Sequence, residues 1–128
     1  MAPAQHGRLA LARPLAVFDI EATGLSIADD RIVELAVVRL EPDGTRLSRV
    51  WRCNPGRPIP SEAIAVHGIT DQDVADCPPF AEVAREIVGF LKGCDFAGYN
   101  VDNYDLPLLR TELERAGLTP FPPDGTQI

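Results

Sequence analysis

Leu15-Ala16-Val17-Phe18-Asp19-Ile20-Glu21-Ala22-Thr23-Gly24 is an apolar run that carries two acids near its end and then breaks. Strand side chains alternate between faces, so Asp19 and Glu21, two apart, point the same way. Two neighbouring carboxylates at the end of a buried strand are costly, because each disfavours ionisation of the other. A hard divalent cation such as Mg²⁺ or Mn²⁺ takes carboxylate oxygens and removes that cost. The stretch therefore predicts a central strand with a metal site at its end. The plain alternative is a solvated rim, since acids are common where strands give way to turns.

Downstream, Arg31 to Leu40 is β-branched and largely apolar, Glu41-Pro42-Asp43-Gly44 has turn composition, and Thr45 to Arg52 returns with Val50 and Trp51. Two further strands in an antiparallel hairpin follow from that pattern. Pro55 to Pro60 reads as an extended crossing. Ser61 is a candidate N-cap for a short helix through Val66 closed by Gly68, and Thr70 caps another short turn over Asp71 to Val74. Pro79 opens the clearest helix, in which Phe80, Val83, Ala84, Ile87, Val88 and Leu91 recur at helical spacing up to Gly93. Asp95 to Tyr99 reads as a short fourth strand. The long helical crossover before it makes it parallel to the first.

A last helix starts around Tyr104, tolerates Pro107 in its first turn, and continues through Leu106, Leu109, Leu113 and Ala116 to Gly117. Asp105 lies at its N-terminus, after a strand adjacent to the first, and so faces Asp19 and Glu21. The alternative for Asp105 is an ordinary acid favoured by the helix dipole. Residues 1–13 read as a loose leader, 14–128 as one domain, and Thr119 to Ile128 as a Pro- and Gly-rich loop.

The 128 residues suffice for one domain, and 45% hydrophobic content suffices for a core. A net charge of −7 argues against broad electrostatic attraction to nucleic acid, so contacts with a polyanion must be local and metal-assisted. Arg39, Arg46, Arg49, Arg52 and Arg57 gather on the hairpin and its exit, as a charge-mixed surface or as a backbone-contact patch. Three scattered cysteines, Cys53, Cys77 and Cys94, fit neither a disulfide framework nor a zinc site, and imply a reducing, cytoplasmic setting. No stretch is apolar and long enough to span a membrane, and Pro14 interrupts any signal-like segment.

Phe18-Asp19-Ile20-Glu21-Ala22-Thr23-Gly24, His67-Gly68-Ile69-Thr70 and Gly98-Tyr99-Asn100 with Tyr104-Asp105, in that order, resemble the DEDD (DnaQ-like) 3′–5′ exonuclease superfamily over about Leu15 to Leu118. The resemblance implies an α/β, RNase H-like mixed sheet, three antiparallel strands and then a parallel one, flanked by helices. It implies hydrolysis of 3′-terminal phosphodiesters with two divalent ions, Mg²⁺ or Mn²⁺. Asp19, Glu21 and Asp105 match its metal-binding catalytic acids. Thr23 and Gly24 match the turn that approaches the terminal nucleotide, Leu25 the residue that wedges against its base, His67 a loop near the 3′ end, and Asn100 a position lining the site. His67 can instead cap the preceding helix, and Asn100 can be a turn residue bonding its own backbone. Ala22 departs from the frequent Thr, and the spacing from Asn100 to Asp105 is closer to the exonuclease I type than to the proofreading type.

The superfamily's third motif, a His general base with an Asp five residues on, has no counterpart, because the histidines are His6 and His67. The sequence thus reads as the N-terminal part of an exonuclease domain, with weak or absent activity on its own. The expected partner is a single-stranded or frayed 3′ end of DNA or RNA, alongside a polymerase or other protein not identified by these residues. Missing elements would leave apolar surface exposed on the fourth strand and on the Phe80 helix. Two rival readings are a degenerate exonuclease fold serving as a non-catalytic interaction module and an RNase H-type endonuclease.

Overall fold

A computed structural model describes residues 11–98 and 101–118. Four strands form one sheet in the order β3-β2-β1-β4: β1 Leu15–Ala22, β2 Ile32–Leu40, β3 Arg46–Arg52 and β4 Asp95–Ala97. β1 pairs antiparallel with β2 and parallel with β4, and β2 pairs antiparallel with β3, which is the expected mixed sheet. β1 runs to Ala22, slightly beyond the acids. Position 99, placed by the sequence in the fourth strand, lies outside the described residues, as do Asn100, most of the expected leader and the C-terminal loop. Arg13, the last leader residue, is tied down by Gly93 O at 3.1 Å and the Asp95 carboxylate at 3.5 Å.

The alternation in β1 decides what goes where. Ala16, Phe18, Ile20 and Ala22 enter the main core, whereas Asp19 and Val17 are exposed and Glu21 is half-buried. The core is closed by α3 (Phe80–Leu91) and α4 (Leu106–Arg115), whose Ile87, Leu91, Leu108, Leu109 and Leu113 are fully buried against Leu35, Val37 and Phe96. Burial of several such side chains, each contributing about 1.5–3 kcal/mol, drives this layer together. The apolar side of the Phe80 helix is therefore covered, contrary to expectation. On the opposite sheet face Val17 and Val50 are 38% and 62% accessible. Among the described residues the core helices pack on the other face, as expected for a sheet whose strands alternate.

Two short helices, α1 (Ser61–His67) and α2 (Asp71–Val74), form a second, smaller cluster with Val33, Ile59 and Ile69. Ser61 is the first helical residue and not the cap: Pro60 holds the N-cap position, extended as a proline allows, without a side-chain bond. Gly68, at φ 77°, ends α1 in the left-handed conformation that the sequence anticipates. Thr70 and Asp73 form a complete capping box on α2.

The pairing of β1 with β2 slips at their ends. Glu21 lies opposite Glu34 but Ala22 lies opposite Ile32, so Val33 is an extra residue in β2. This bulge turns Val33 into the second cluster and bends the chain where the acidic strand meets its loop. Of the five hairpin arginines, Arg39 pairs with Glu41, Arg49 with Glu86 and Arg52 with Glu34, while Arg57 donates to Asp29 O. The charge-mixed reading holds for these four. Among the described residues no helix is long and apolar enough to cross a membrane.

Candidate active site

The end of β1, the turn after it and the start of α4 meet around one cavity. The cavity has a volume of about 580 Å³ and is lined by Glu21 to Leu25, by Pro60, Ala63, Val66 and His67 from the α1 side, and by Asp30 and Tyr104. Its rim carries two apolar side chains open to solvent, Leu25 at 87% and Val66 at 83%. Two exposed apolar side chains thus stand on the rim of a cavity beside an acidic strand end.

Asp105 enters from a direction the sequence did not fully indicate. The expected helix start at Tyr104 is instead a π-helical turn, Val101–Asp105, packed against β1, and α4 begins at Leu106 with Pro107 in its first turn. The wider turn brings Asp105 inward, where it is 3% exposed, and lets Tyr104 Oη donate to Gly24 O at 2.7 Å. Burial, followed by the carboxylates of Asp19 and Glu21, pushes the Asp105 carboxyl up to about 6. Glu21 is also raised, first by its partial burial and then by Asp19. Asp105 thus lies within electrostatic reach of the two acids at the end of β1. As they stand, no three His, Cys, Asp or Glu side chains among the described residues are placed to hold an ion.

The turn after β1 is fixed by Asp30. Thr23 Oγ1 donates to Asp30 Oδ1 at 2.8 Å and accepts from Arg31 N at 3.0 Å, and Ser26 N donates to Asp30 Oδ2 at 2.8 Å. The Asp30 carboxylate lies directly beneath Gly24, where a Cβ would sit 2.5 Å from Oδ2. Gly24 is thus required by close approach and not by an unusual φ. Leu25 is left projecting from the turn.

His67 acts as a strut. A carbonyl can only accept, so Nε2 donates to Ala22 O at 3.1 Å, while Nδ1 accepts from Ile69 N at 3.0 Å. Both nitrogens are occupied by backbone and fix the Nε2–H tautomer, joining the end of α1 to the end of β1. His67 still lines the cavity, but with its ring and not with a free nitrogen. Its bonds differ from the helix-capping alternative, which would have used the carbonyls of α1.

The structure adds four residues to which the sequence reading gave no role of their own in the site. Asp30 is hidden in an ordinary polar loop, Val66 looks like a core residue of a short helix, and Tyr104 was read as a helix start and as the neighbour of Asp105 in its motif. Glu112, 4% exposed, is an acid at an apolar position of α4, three residues after Leu109, and that interruption of the stripe was its one signal.

Comparison with known proteins identifies the family. The model of the Exonuclease family (RNase_T) matches residues 16–127. A DNA polymerase III subunit epsilon-like protein of Rhodobacter capsulatus is 42% identical over 97 residues, 73% of this chain and 14% of that protein. The 3′-5′ exonuclease DinG of Bacillus subtilis is 35% identical over 103 residues, 79% of this chain and 11% of that protein. In structure, E. coli exonuclease I in complex with a dT13 oligonucleotide superposes with a TM-score of 0.78 at 22% identity, over 89% of this chain and 27% of that one, a likeness of fold. This chain therefore spans a small part of each of these proteins. On the family match and the shared sheet, it belongs to the exonuclease family.

Proposed function

We propose that this chain carries the first two acidic motifs of a 3′–5′ exonuclease and acts on the 3′ end of a single-stranded or frayed nucleic acid. The reading is supported by the electrostatic influence of Asp19 and Glu21 on the buried Asp105, beside a cavity that Glu21 lines together with Leu25 and Val66. A terminal base fits between two exposed apolar side chains, and the phosphate that follows it then lies toward the acids.

The donor set suits hard divalent cations such as Mg²⁺ or Mn²⁺. It consists of carboxylates only, and one of them, Asp105, is held in a site where its ionised form is disfavoured until positive charge arrives. Asp19, Glu21 and Asp105 would hold the ions, with small side-chain movements closing the shell. When bound, a pair of such ions supplies a nucleophilic water and stabilises the leaving oxygen. The protein's own share is positional. Leu25 and Val66 orient the terminal base, the Thr23-Gly24 turn presents backbone to the nucleotide, and the His67 strut keeps α1 and β1 in register.

A general base is worth about 10²–10⁴-fold in rate, and these 128 residues contain no histidine after His67. The chain by itself is therefore a slow enzyme. The reading is tested with a 5′-labelled single strand and Mn²⁺. Slow shortening from the 3′ end is expected, with circular single strands spared and all activity lost in Asp19→Ala. Cleavage of circles would favour an endonuclease. A melting temperature indifferent to Mn²⁺ would favour a non-catalytic interaction module.

A further inference from the structure

We propose that Glu112 and Arg115 of α4 are positioning residues that set the spacing of the three acids by clamping the loop that follows β1. The inference rests on the nuclease reading above, but its structural half stands independently of it.

Beside the bulge at Val33, the Ile32 N–H donates to Glu112 Oε2 at 2.7 Å. The other oxygen, Oε1, accepts from Arg115 Nη1 at 3.0 Å. Arg115 then reaches the far side of the same loop, donating to Asp30 O at 3.3 Å and to Ala28 O. Asp30 in turn carries Thr23, Ser26 and the underside of Gly24. At the opposite end of the same segment, Tyr104 grips Gly24 O. The segment from Ala22 to Ile32 is thus held at one end by the π-turn and at the other by α4, which follows it directly, and Asp105 lies in sequence between the two grips. An acid buried among leucines is expensive to keep, and it persists when its bonds fix a geometry that apolar packing cannot. Here the geometry is the distance from the start of α4 to the end of β1, which is the distance between Asp105 and the pair Asp19 and Glu21.

A purely structural pair would lower the melting temperature when removed and leave metal uptake alone. A positioning pair moves the metal midpoint at temperatures far below melting. In the full chain, Glu112→Ala and Arg115→Ala are expected to raise the Mn²⁺ midpoint, read calorimetrically, by about tenfold or more, as is usual for supports of metal ligands, and Glu112→Gln to raise it by less than Glu112→Ala. The glutamine retains one oxygen, enough for Ile32 N–H or for Arg115 but not for both, because its amide nitrogen only donates. Hydrogen exchange of residues 22–32 in metal-free buffer is expected to accelerate by about tenfold in both alanine variants, and that of residues 34–40 of β2 to remain unchanged. Should Glu112→Ala fail to fold, Arg115→Ala carries the same comparison, since its guanidinium lies nearer the surface. Unchanged loop exchange in the alanine variants overturns the clamp whatever the metal does. Unchanged metal midpoints with loosened loops overturn the positioning role. A wild-type chain that takes up no Mn²⁺ overturns the nuclease reading and the positioning role with it, while the loop measurement still decides whether the clamp exists.

Discussion

Asp105→Asn should stabilise the metal-free protein and weaken the metal-bound one, and the two signs together test the site. Burial and the neighbouring carboxylates raise the Asp105 carboxyl from its ordinary 3.8 to about 6. An acid whose pKa is higher in the folded state binds more protons folded than unfolded, so it stabilises fully below about pH 4, and that stability is lost as the pH rises through about 6. By pH 7.5 the folded chain holds an ionised carboxylate against its environment. The displacement is worth about 3 kcal/mol at 1.36 kcal/mol for each pKa unit. Asp19 is open to solvent, which screens part of the repulsion, so a gain of about 1–3 kcal/mol is expected on replacing the charge by an amide.

For a chain of this size such a gain is a rise of roughly 3–12 °C in melting temperature. The assay is thermal or urea unfolding of the two proteins in EDTA from pH 4.5 to 8. Their curves should lie close at the acid end and separate above pH 6, with the asparagine variant the more stable. Repeating the series with millimolar Mn²⁺ should narrow or reverse the gap, because only the wild type has the third carboxylate to offer. A variant that is less stable at pH 7.5 in EDTA, or a difference independent of pH, would show that Asp105 does not feel Asp19 and Glu21, and the site would dissolve.

Gly24→Ala places a Cβ against the Asp30 carboxylate, so it should cost about 1–3 kcal/mol by overpacking and raise KM by loosening the Thr23 bond, as read from unfolding and oligonucleotide kinetics. Leu25→Ala should leave stability within about 0.5 kcal/mol, because the side chain is almost wholly exposed, yet raise KM for a single strand several-fold if it supports the terminal base; an unchanged KM removes it from the site. Burial pushes the Cys53 thiol up to about 12, with smaller contributions from Glu112 and Cys77, so iodoacetamide at pH 8 should leave Cys53 unlabelled in the folded chain and label it on denaturation, as mass spectrometry would show.

The sheet was legible in the sequence because its signals are local. Alternation in Leu15 to Ala22 separates the core side chains from the acids. The turn at Asp43-Gly44 and the helical stripe from Phe80 to Leu91 report their own geometry within a few residues. The features that finish the site were not legible, because each is satisfied by something distant in the chain. Nothing in Ile32-Val33-Glu34 announces a bulge, since both neighbouring apolar residues end up buried, in different clusters. The π-turn before α4 is invisible for a similar reason. Tyr104 makes it worthwhile by reaching Gly24 O, eighty residues earlier, and no helical rule contains that bond.

The same contrast separates the acids, which stand out in the sequence, from their supports, which do not. Asp19, Glu21 and Asp105 are conspicuous because they violate what a buried strand end or an inward-facing turn would otherwise contain. Asp30 and Arg115 are ordinary loop and helix-end residues until the fold joins them, and Thr23, read from the sequence as part of the turn, is bonded to Asp30. A net charge of −7 sharpens the consequence. Arg39, Arg49, Arg52 and Arg115 are each engaged by a carboxylate of the chain itself, so little long-range field remains to draw in a polyanion. On the proposed nuclease reading, recognition would then come from geometry at short range: an apolar rim for a base, a backbone turn for a sugar, and acids whose charge must be balanced before a phosphate can approach. The supports that fix that geometry therefore matter as much to the chemistry as the acids they hold in place.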